Sequence, residues 1–554
     1  MLSMQTSNIA DPLRRHGDGP SMNNQHQSLL FQLPRELRDK IYEYYTHQEQ
    51  GYIYDPSAQK FRLANGQKID VALIYTCKRV AQEIDGLAFE SNTLRFSVLP
   101  QIPGTETSSS VAFFYRSLLE GRNMCLRIML SYAYPLVTRE ALRELRSRYS
   151  GNTAVEELEK TIIREGRASL KEGRLYPVSR LDYLIKDAIL QDLIQIIARH
   201  PAFERLVLGE YDPSAKTSAP LDYDPVTDDE DESEDEDNDN DQGRSRSRPS
   251  VYTRDTLYQI IEWRPTYWWI PEKKDLDKVA KYVPQAPELG TRHNGRVKRF
   301  KRYFSAAAAA IQFLERLTPK KRAQVRKIVI QEDYASLGIS QNHTSHTSLA
   351  LSQTHARGLI PYLLENPRLR IERRVDIWGT VLIPNRERSY GVERCLWDVA
   401  TWIHEASIPW IMELPTGSFS LVLHGPNERA SELLCNAMRQ AAMWQDGAEE
   451  LTRRGTMQRM TPIADDFVDV IKAVVRGDVP VRFEAGVPEL WDIDEILREQ
   501  SDQWPYAVDR LRCVTVFHFG IPPDGGWDSV RSEQMEEIEW TDGMVVRGLF
   551  ETED

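Results

Sequence analysis

ARGLIPYLLENPRLRIERRVDIW, residues 356–378, sets a helical pattern directly in front of an extended one. ARGLIPYLLENP reads as a helix and RRVDIW, from Arg373, as a short apolar strand. The same order recurs earlier in the chain. AFFYRSLLEG (112–121) precedes CLRIML at 125, and DLIQIIARHPAF (192–203) precedes RLVLGE at 205. Further strands are expected at RKIVIQ (326), FSLVLH (419), VPVRFE (479) and CVTVFHF (513). Helices alternating with short strands predict a mixed α/β fold with several parallel neighbours. The strands are unequally spaced, so the alternation is irregular and no regular solenoid repeat is expected.

A chain of 554 residues with 41% hydrophobic residues is long enough for several units around a sizeable core. The five cysteines, Cys77, Cys125, Cys395, Cys435 and Cys513, are odd in number, and none forms a close pair. That pattern fits neither a disulfide framework nor a structural zinc site and implies a reducing compartment, nuclear or cytoplasmic. No apolar run reaches the length of a membrane span. The net charge of -13 is concentrated in one place, because Asp228 to Asp241 holds 11 acidic residues and no basic one. Such a run repels itself and buries nothing, which predicts a disordered linker over 226–250. The expected organisation is a disordered start (1–27), an N-terminal helical module (28–99), a first α/β part (100–225), the acidic linker, a second α/β part (251–535) and a tail (536–554).

Within the module, LLFQLPRELRDKIYEYY (29–45) carries a helix start at Leu33-Pro34, where a missing N–H costs nothing. Leu37, Ile41, Tyr44 and Tyr45 fall on one side, with Arg35, Glu36, Arg38, Asp39, Lys40 and Glu43 on the other. VALIYTCKRVAQEIDGLAFESNTLRF supplies a second stripe, Leu73, Cys77, Val80, Ile84 and Leu87, before NTLRF turns extended. The two stripes are expected to bury each other. Between them, residues 46–70 contain YIYDPSAQKFRLANG, which predicts a small hairpin on the helices.

These two helices, LPRELRDKIYEYY and ALIYTCKRVAQEIDGLAFESNTLRF, resemble the F-box-like N-terminal module of a group of fungal proteins. RKIVIQEDYASLGISQNHTSHTSLALSQTHARGLIPYLLENPRLRIERRVDIW is similar to their C-terminal portion. The resemblance implies that the module docks on the Skp-type adaptor of a cullin ubiquitin ligase, while the region behind it, acting as receptor, holds a protein substrate. Leu33, Pro34, Leu37 and Ile41 would then be adaptor-facing or core positions. An ordinary F-box joins its first helices by a short loop, and this chain inserts 46–70 there. The alternative is that the unit is a structural N-terminal cap.

Catalytic signatures are missing from the sequence: there is no G-x-S-x-G, Walker loop, dinucleotide glycine fingerprint or zincin helix. His343, His346 and His355 sit among Ser, Thr and Asn and read as loop residues rather than zinc ligands. Cys395 and Cys435, with His404 and His424, read as core rather than as a Cys/His nucleophile pair. The reading is a non-enzymatic interaction protein without a cofactor. Trp263, Tyr267, Trp268 and Trp269 read as core packing or as the wall of a peptide groove. Residues 292–327 hold 12 Lys or Arg against one acid, Glu315. Phe300, Phe304, Ala307, Ile311 and Leu314 are expected as the buried stripe of a helix that turns Lys298, Arg299, Lys301 and Arg302 outward. With Lys320, Lys321 and Arg322 they would form a basic patch, which supports a second reading as a nuclear nucleic-acid or chromatin-associated factor.

Overall fold

The computed structural model describes residues 27–56, 58–98, 108–148, 155, 183–208, 253–265, 268–285, 289–293, 296–301, 303–334, 336, 350–382, 399, 403, 414–456, 467–486, 489–499, 535–537 and 545–547. The expected disordered start, the acidic linker and the strand at 513 lie outside these residues.

A mixed α/β architecture is what the chain adopts, with a seven-stranded sheet at its centre. Its strands are β1 (Tyr52–Asp55), β2 (Lys60–Arg62), β3 (Thr93–Ser97), β6 (Lys327–Glu332), β7 (Arg370–Asp376), β8 (Phe419–His424) and β9 (Val481–Phe483), in the spatial order β2-β1-β3-β6-β7-β8-β9. Only the β1–β2 hairpin is antiparallel; every other neighbouring pair is parallel. The register places Leu94, Ile328, Ile371 and Phe419 in one row and Phe96, Ile330, Arg373, Leu421 and Val481 in another, all on the core face. Two helices cover the sheet. α11 (Ala306–Arg316) packs on β3 and β6, and α14 (Glu428–Arg453) packs on β8. All five alanines of Ala306–Ala310 are buried, so α11 is enclosed on several sides, and α13 (Ala350–Glu365) lies against it. That approach is close at Gly358, where a Cβ would stand 2.6 Å from Ile311.

The hairpin forms where expected, but it extends the edge of the sheet instead of resting on helices alone. Tyr54, Phe61 and Phe96 meet Phe313 of α11 ring to ring at 5.1–6.4 Å, which fixes that edge. The sheet therefore joins strands from both sides of residue 99.

Several expectations are corrected. CLRIML is not a strand but part of α5 (Ser108–Ala133), where Cys125, Leu126, Met129 and Leu130 are buried at helical spacing. The RLVL of RLVLGE, Arg205 to Leu208, falls on α8 (Phe203–Leu208), with Phe203 and Val207 buried four residues apart. An apolar run of six cannot by itself distinguish a strand from a buried helix segment. α5 packs with α7 (Tyr183–Ile197), which in turn meets α6 (Arg139–Arg148) and α9 (Arg254–Glu262), forming a helical layer. α10 (Lys273–Val279) also packs on α5.

The helix expected from Leu73 to Leu87 is broken. A 3-10 turn (Ala72–Tyr75) gives way to an extended Cys77, whose sulfur accepts the Val80 N–H ahead of α3 (Lys78–Ile84). Gly86, at φ 87°, then turns the chain into α4 (Leu87–Ser91), and a Cβ there would collide with Gln324 at 2.0 Å.

The basic stretch is corrected too. Lys298 and Arg299 stand on strand β5 (Arg296–Phe300), not on a helix, and α11 starts only after Ser305, whose hydroxyl accepts the Ala308 N–H. Phe304, Ala307, Ile311 and Leu314 are buried as expected. β5 belongs to a second sheet of order β10-β5-β4-β11, with β4 (Leu289–His293), β10 (Met535–Glu537) and β11 (Val545–Arg547). The segment expected as a plain tail thus carries strand residues. α15 (Phe467–Arg476) and α16 (Ile493–Glu499) pack on α14.

Candidate functional site

α1 (Leu29–Gln32) and α2 (Arg35–Thr46) open the module, and α2 begins one residue later than expected, with Pro34 as its N-cap rather than its first residue. The face it buries is not the expected one. Arg38, Tyr42 and Thr46 point inward, and Tyr42 packs with Phe31, Val80 and Ile84 in a small core of its own. Glu83 of α3 is the hub. Its carboxylate accepts from Arg38 at 2.8 and 2.9 Å, from the Tyr42 hydroxyl at 2.9 Å and from Arg79 at 3.0 Å. Burial works to raise the Glu83 pKa, but the bonds from Arg38, Tyr42 and Arg79 outweigh it and hold the group down at about 2. Burial and the bond to Glu83 push the Tyr42 phenol up to about 12. Arg38 also donates to the Leu33 carbonyl at 2.6 Å, and Arg79 lies 4.3 Å over the Phe31 ring, so α1 is tied to the same hub.

Because Arg38 and Tyr42 take the inside, Leu37, Ile41 and Tyr44 are turned out, with 46%, 41% and 89% of their surface exposed. Pro34 is exposed and Leu33 is half-buried. Tyr45 sits at the border, its hydroxyl accepting the Leu73 N–H at 3.2 Å. The expected stripe exists, at i, i+4 and i+7, but it faces solvent. Leu29 and Tyr75 of the same module are exposed as well.

Much of the expected basic patch is engaged within the chain. Arg322, on α12 (Pro319–Arg322), binds both Glu365 oxygens at 2.9 and 3.0 Å and donates to the Leu317 carbonyl at 2.8 Å. Lys320 reaches Asp85 at 3.5 Å, and Arg326 reaches Glu90 at 3.1 Å. Together with Gln324 on the Asp85 carbonyl, these bonds tie α12 to the α3–α4 corner of the module. Lys321 is exposed, Lys301 is half-buried, and Arg302 lies outside the described residues.

Ligands of open α/β sheets enter at the carboxyl ends of the strands. Here that edge is bonded from within. Buried Glu332, at the end of β6, accepts the Ala306 and Ala307 N–H groups at the N-terminus of α11, the position an anion would take. Burial raises its pKa. The N-terminus of α14 is closed by Asn427, which accepts the Ala430 N–H at 2.9 Å, and Ser431 takes the Gly425 N–H. Asp376, ending β7, accepts from the backbone N–H groups of Trp378 and Gly379 at 2.9 and 3.4 Å. Burial is the main cause that pushes its carboxyl up to about 7; neighbouring Asp333 adds to the rise, and the two N–H bonds oppose it. His424 donates from Nδ1 to the Gly425 carbonyl at 2.9 Å, which leaves Nε2 as the acceptor for Gln331 at 3.4 Å.

The remaining candidates do not assemble. His343, His346, Cys395, His404 and Tyr267 lie outside the described residues, and His355 stands on α13. Cys435 is buried on α14, its Sγ donating to the Gly486 carbonyl at 3.7 Å, and burial pushes its thiol up. Trp263, Trp268 and Trp269 pack against the main core, Trp269 edge-on to Tyr115. Among the described residues no group of three or more His, Cys, Asp or Glu is placed to hold a metal, and no helix is long and apolar enough to cross a membrane. Comparison with known proteins finds no matching family model, curated protein or solved structure.

Proposed function

We propose that this chain is a non-catalytic interaction protein whose N-terminal module docks on a Skp-type adaptor of a cullin ubiquitin ligase, with a protein substrate held by the α/β region behind it. The observation that carries this reading is the outward turn of Leu37, Ile41 and Tyr44 on a helix whose inner face is already satisfied by Glu83 and the Phe31–Tyr42–Val80–Ile84 core. An apolar row at i, i+4 and i+7 on a well-anchored helix suits docking of a partner's apolar groove. The sequence resemblance supplies the identity of that partner.

The exposure of the row makes the test clean. Leu37→Lys with Ile41→Lys removes no buried side chain, so the full chain should keep its far-ultraviolet dichroism and unfold within about 0.5 kcal/mol of wild type. Wild type should retain purified adaptor in a pull-down at about 10 μM, and the double variant should not. A folded wild-type chain that captures no adaptor at that concentration defeats the proposal.

A further inference from the structure

In the seven-stranded sheet β3, β6, β7, β8 and β9 stand side by side in chain order. Each right-handed crossover between them therefore returns over the same face, the one that carries α11 and α14. Side chains alternate along a strand, so the register also fixes what the other face presents. There Lys327 stands beside Arg370 in one row, Arg95 is in line with Glu372 in the next, and Arg374 is in line with Arg482 in a third. The acids of this face are engaged. Glu372 is held by Arg374 at 3.3 Å and by Arg482 at 3.2 Å, and Glu484 by Arg374. At the amino ends of the strands Glu90 holds Arg326 and Glu365 holds Arg322. Arg95, Lys327 and Arg370 are exposed, and none of the three forms an ion pair among the described residues. Arg95 donates to the Gln50 carbonyl, and Arg370 to those of Pro367 and Leu369. The exposed Glu49, in the turn ahead of β1, is one acid against three cations.

Resting on the reading that the α/β region holds a protein substrate, we propose that Arg95, Lys327 and Arg370 are where the substrate docks, through a short acidic segment. Neighbouring strands lie about 4.8 Å apart, which sets Lys327 next to Arg370, and Arg95 stands on the diagonal from Lys327 at roughly 7–8 Å. In an extended peptide, carboxylates two residues apart repeat at about 7 Å. Acids at alternate positions therefore match the spacing of the cations. A long polyanion fits less well. Glu372 and Glu484 bound the cluster along the face, and Glu90 and Glu365 bound it at the amino ends of the strands, so a nucleic-acid backbone running past the cluster would meet carboxylates.

Titration of the full chain with a fluorescein-labelled dodecapeptide of alternating Glu and Ser, read by anisotropy at about 50 mM salt, tests this. Arg95→Gln, Lys327→Gln and Arg370→Gln together should weaken binding about tenfold. Lys40→Gln, Lys68→Gln and Lys78→Gln remove the same charge from exposed positions of the N-terminal module and should change it by less than about twofold. Equal weakening by both sets, or no binding by wild type at up to about 1 mM peptide, overturns the proposal. Coupling of the same peptide to wild type with a zero-length carbodiimide, read by peptide mass spectrometry, needs no variant to fold. Links should gather on Lys327, and an even spread over Lys40, Lys68, Lys78 and Lys327 overturns the proposal too. A labelled oligothymidine of the same length is the third probe. Binding weaker than that of the peptide supports the acidic segment. Binding tighter than that of the peptide, and lost in the Arg95–Lys327–Arg370 variant, assigns the face to nucleic acid and overturns it. The adaptor pull-down is scored apart: a chain that captures adaptor but not peptide loses this inference alone, whereas one that binds peptide without adaptor loses the docking role of the module.

Discussion

Asp376 holds the turn that leads the chain out of β7, and its stabilising effect depends on pH. Below the unfolded value near 3.8 the carboxyl is protonated in both states. As pH climbs toward about 7, the unfolded chain gives up the proton while the folded chain keeps it, so stability is lost across that window. Asn at this position retains an oxygen for the Trp378 and Gly379 N–H groups without the buried charge. Asp376→Asn is therefore expected to flatten the fall in urea midpoint between pH 4.5 and 7.5 and to stabilise the chain above pH 7 by about 1–3 kcal/mol, since each tenfold change in proton affinity between the folded and unfolded chain corresponds to about 1.4 kcal/mol. A variant with the wild-type slope, or a less stable one at pH 7.5, would show that the carboxylate is needed in its charged form. Glu83 is the opposite case. Its lowered pKa gives stability that is present above about 4.5 and lost as pH falls toward about 2. Glu83→Gln leaves Arg38 without its counter-charge and is expected to lower the melting temperature.

At the scale of the element, α2 shows what periodicity can and cannot convey. The positions 37, 41 and 44 do form an apolar row, and the helix does start after Pro34. What hydropathy misses is that an arginine and a tyrosine occupy the inner face because Glu83, 45 residues beyond Arg38, completes them. No local pattern announces a partner at that distance. The expected stability ranking is therefore inverted from the sequence reading: Tyr42→Ala should cost about 3–5 kcal/mol in urea unfolding, and Leu37→Ala less than about 0.5. Comparable losses from both would restore the buried stripe. β6 and β8 were legible because parallel strands buried on both faces read as continuous apolar runs, Ile328-Val329-Ile330 and Leu421-Val422-Leu423. CLRIML has the same composition, yet its burial follows the helical period, which becomes visible only over the full length of α5. Lys298 and Arg299 misled for another reason. A stripe counted backward from Ala307 continues smoothly through Phe304 and Phe300, but Ser305 caps the helix and the chain before it is extended.

At the scale of the whole molecule, the acidic run divides the chain in sequence while the sheet unites it in space. β3, upstream of the run, pairs with β6, downstream of it, over five residues from Thr93–Lys327 to Ser97–Gln331. The hairpin upstream contributes Tyr54, Phe61 and Phe96 to the contact with Phe313 downstream, and Arg326 crosses to Glu90. The helical module is thereby joined to the rest of the fold through hydrogen-bonded backbone and a shared core. Cutting the run should leave these contacts intact, since none of them uses residues 228–241. A specific protease site placed within the run is expected to yield two fragments that co-elute in gel filtration, unfold in one transition, and separate only in urea. The cost of the cut is the lost tether, which enters as a concentration dependence of the melting temperature. Fragments that part in native buffer would mean that the β3–β6 pairing and the Phe313 cluster do not hold the two halves together, and the single central sheet would then be the wrong description of the chain.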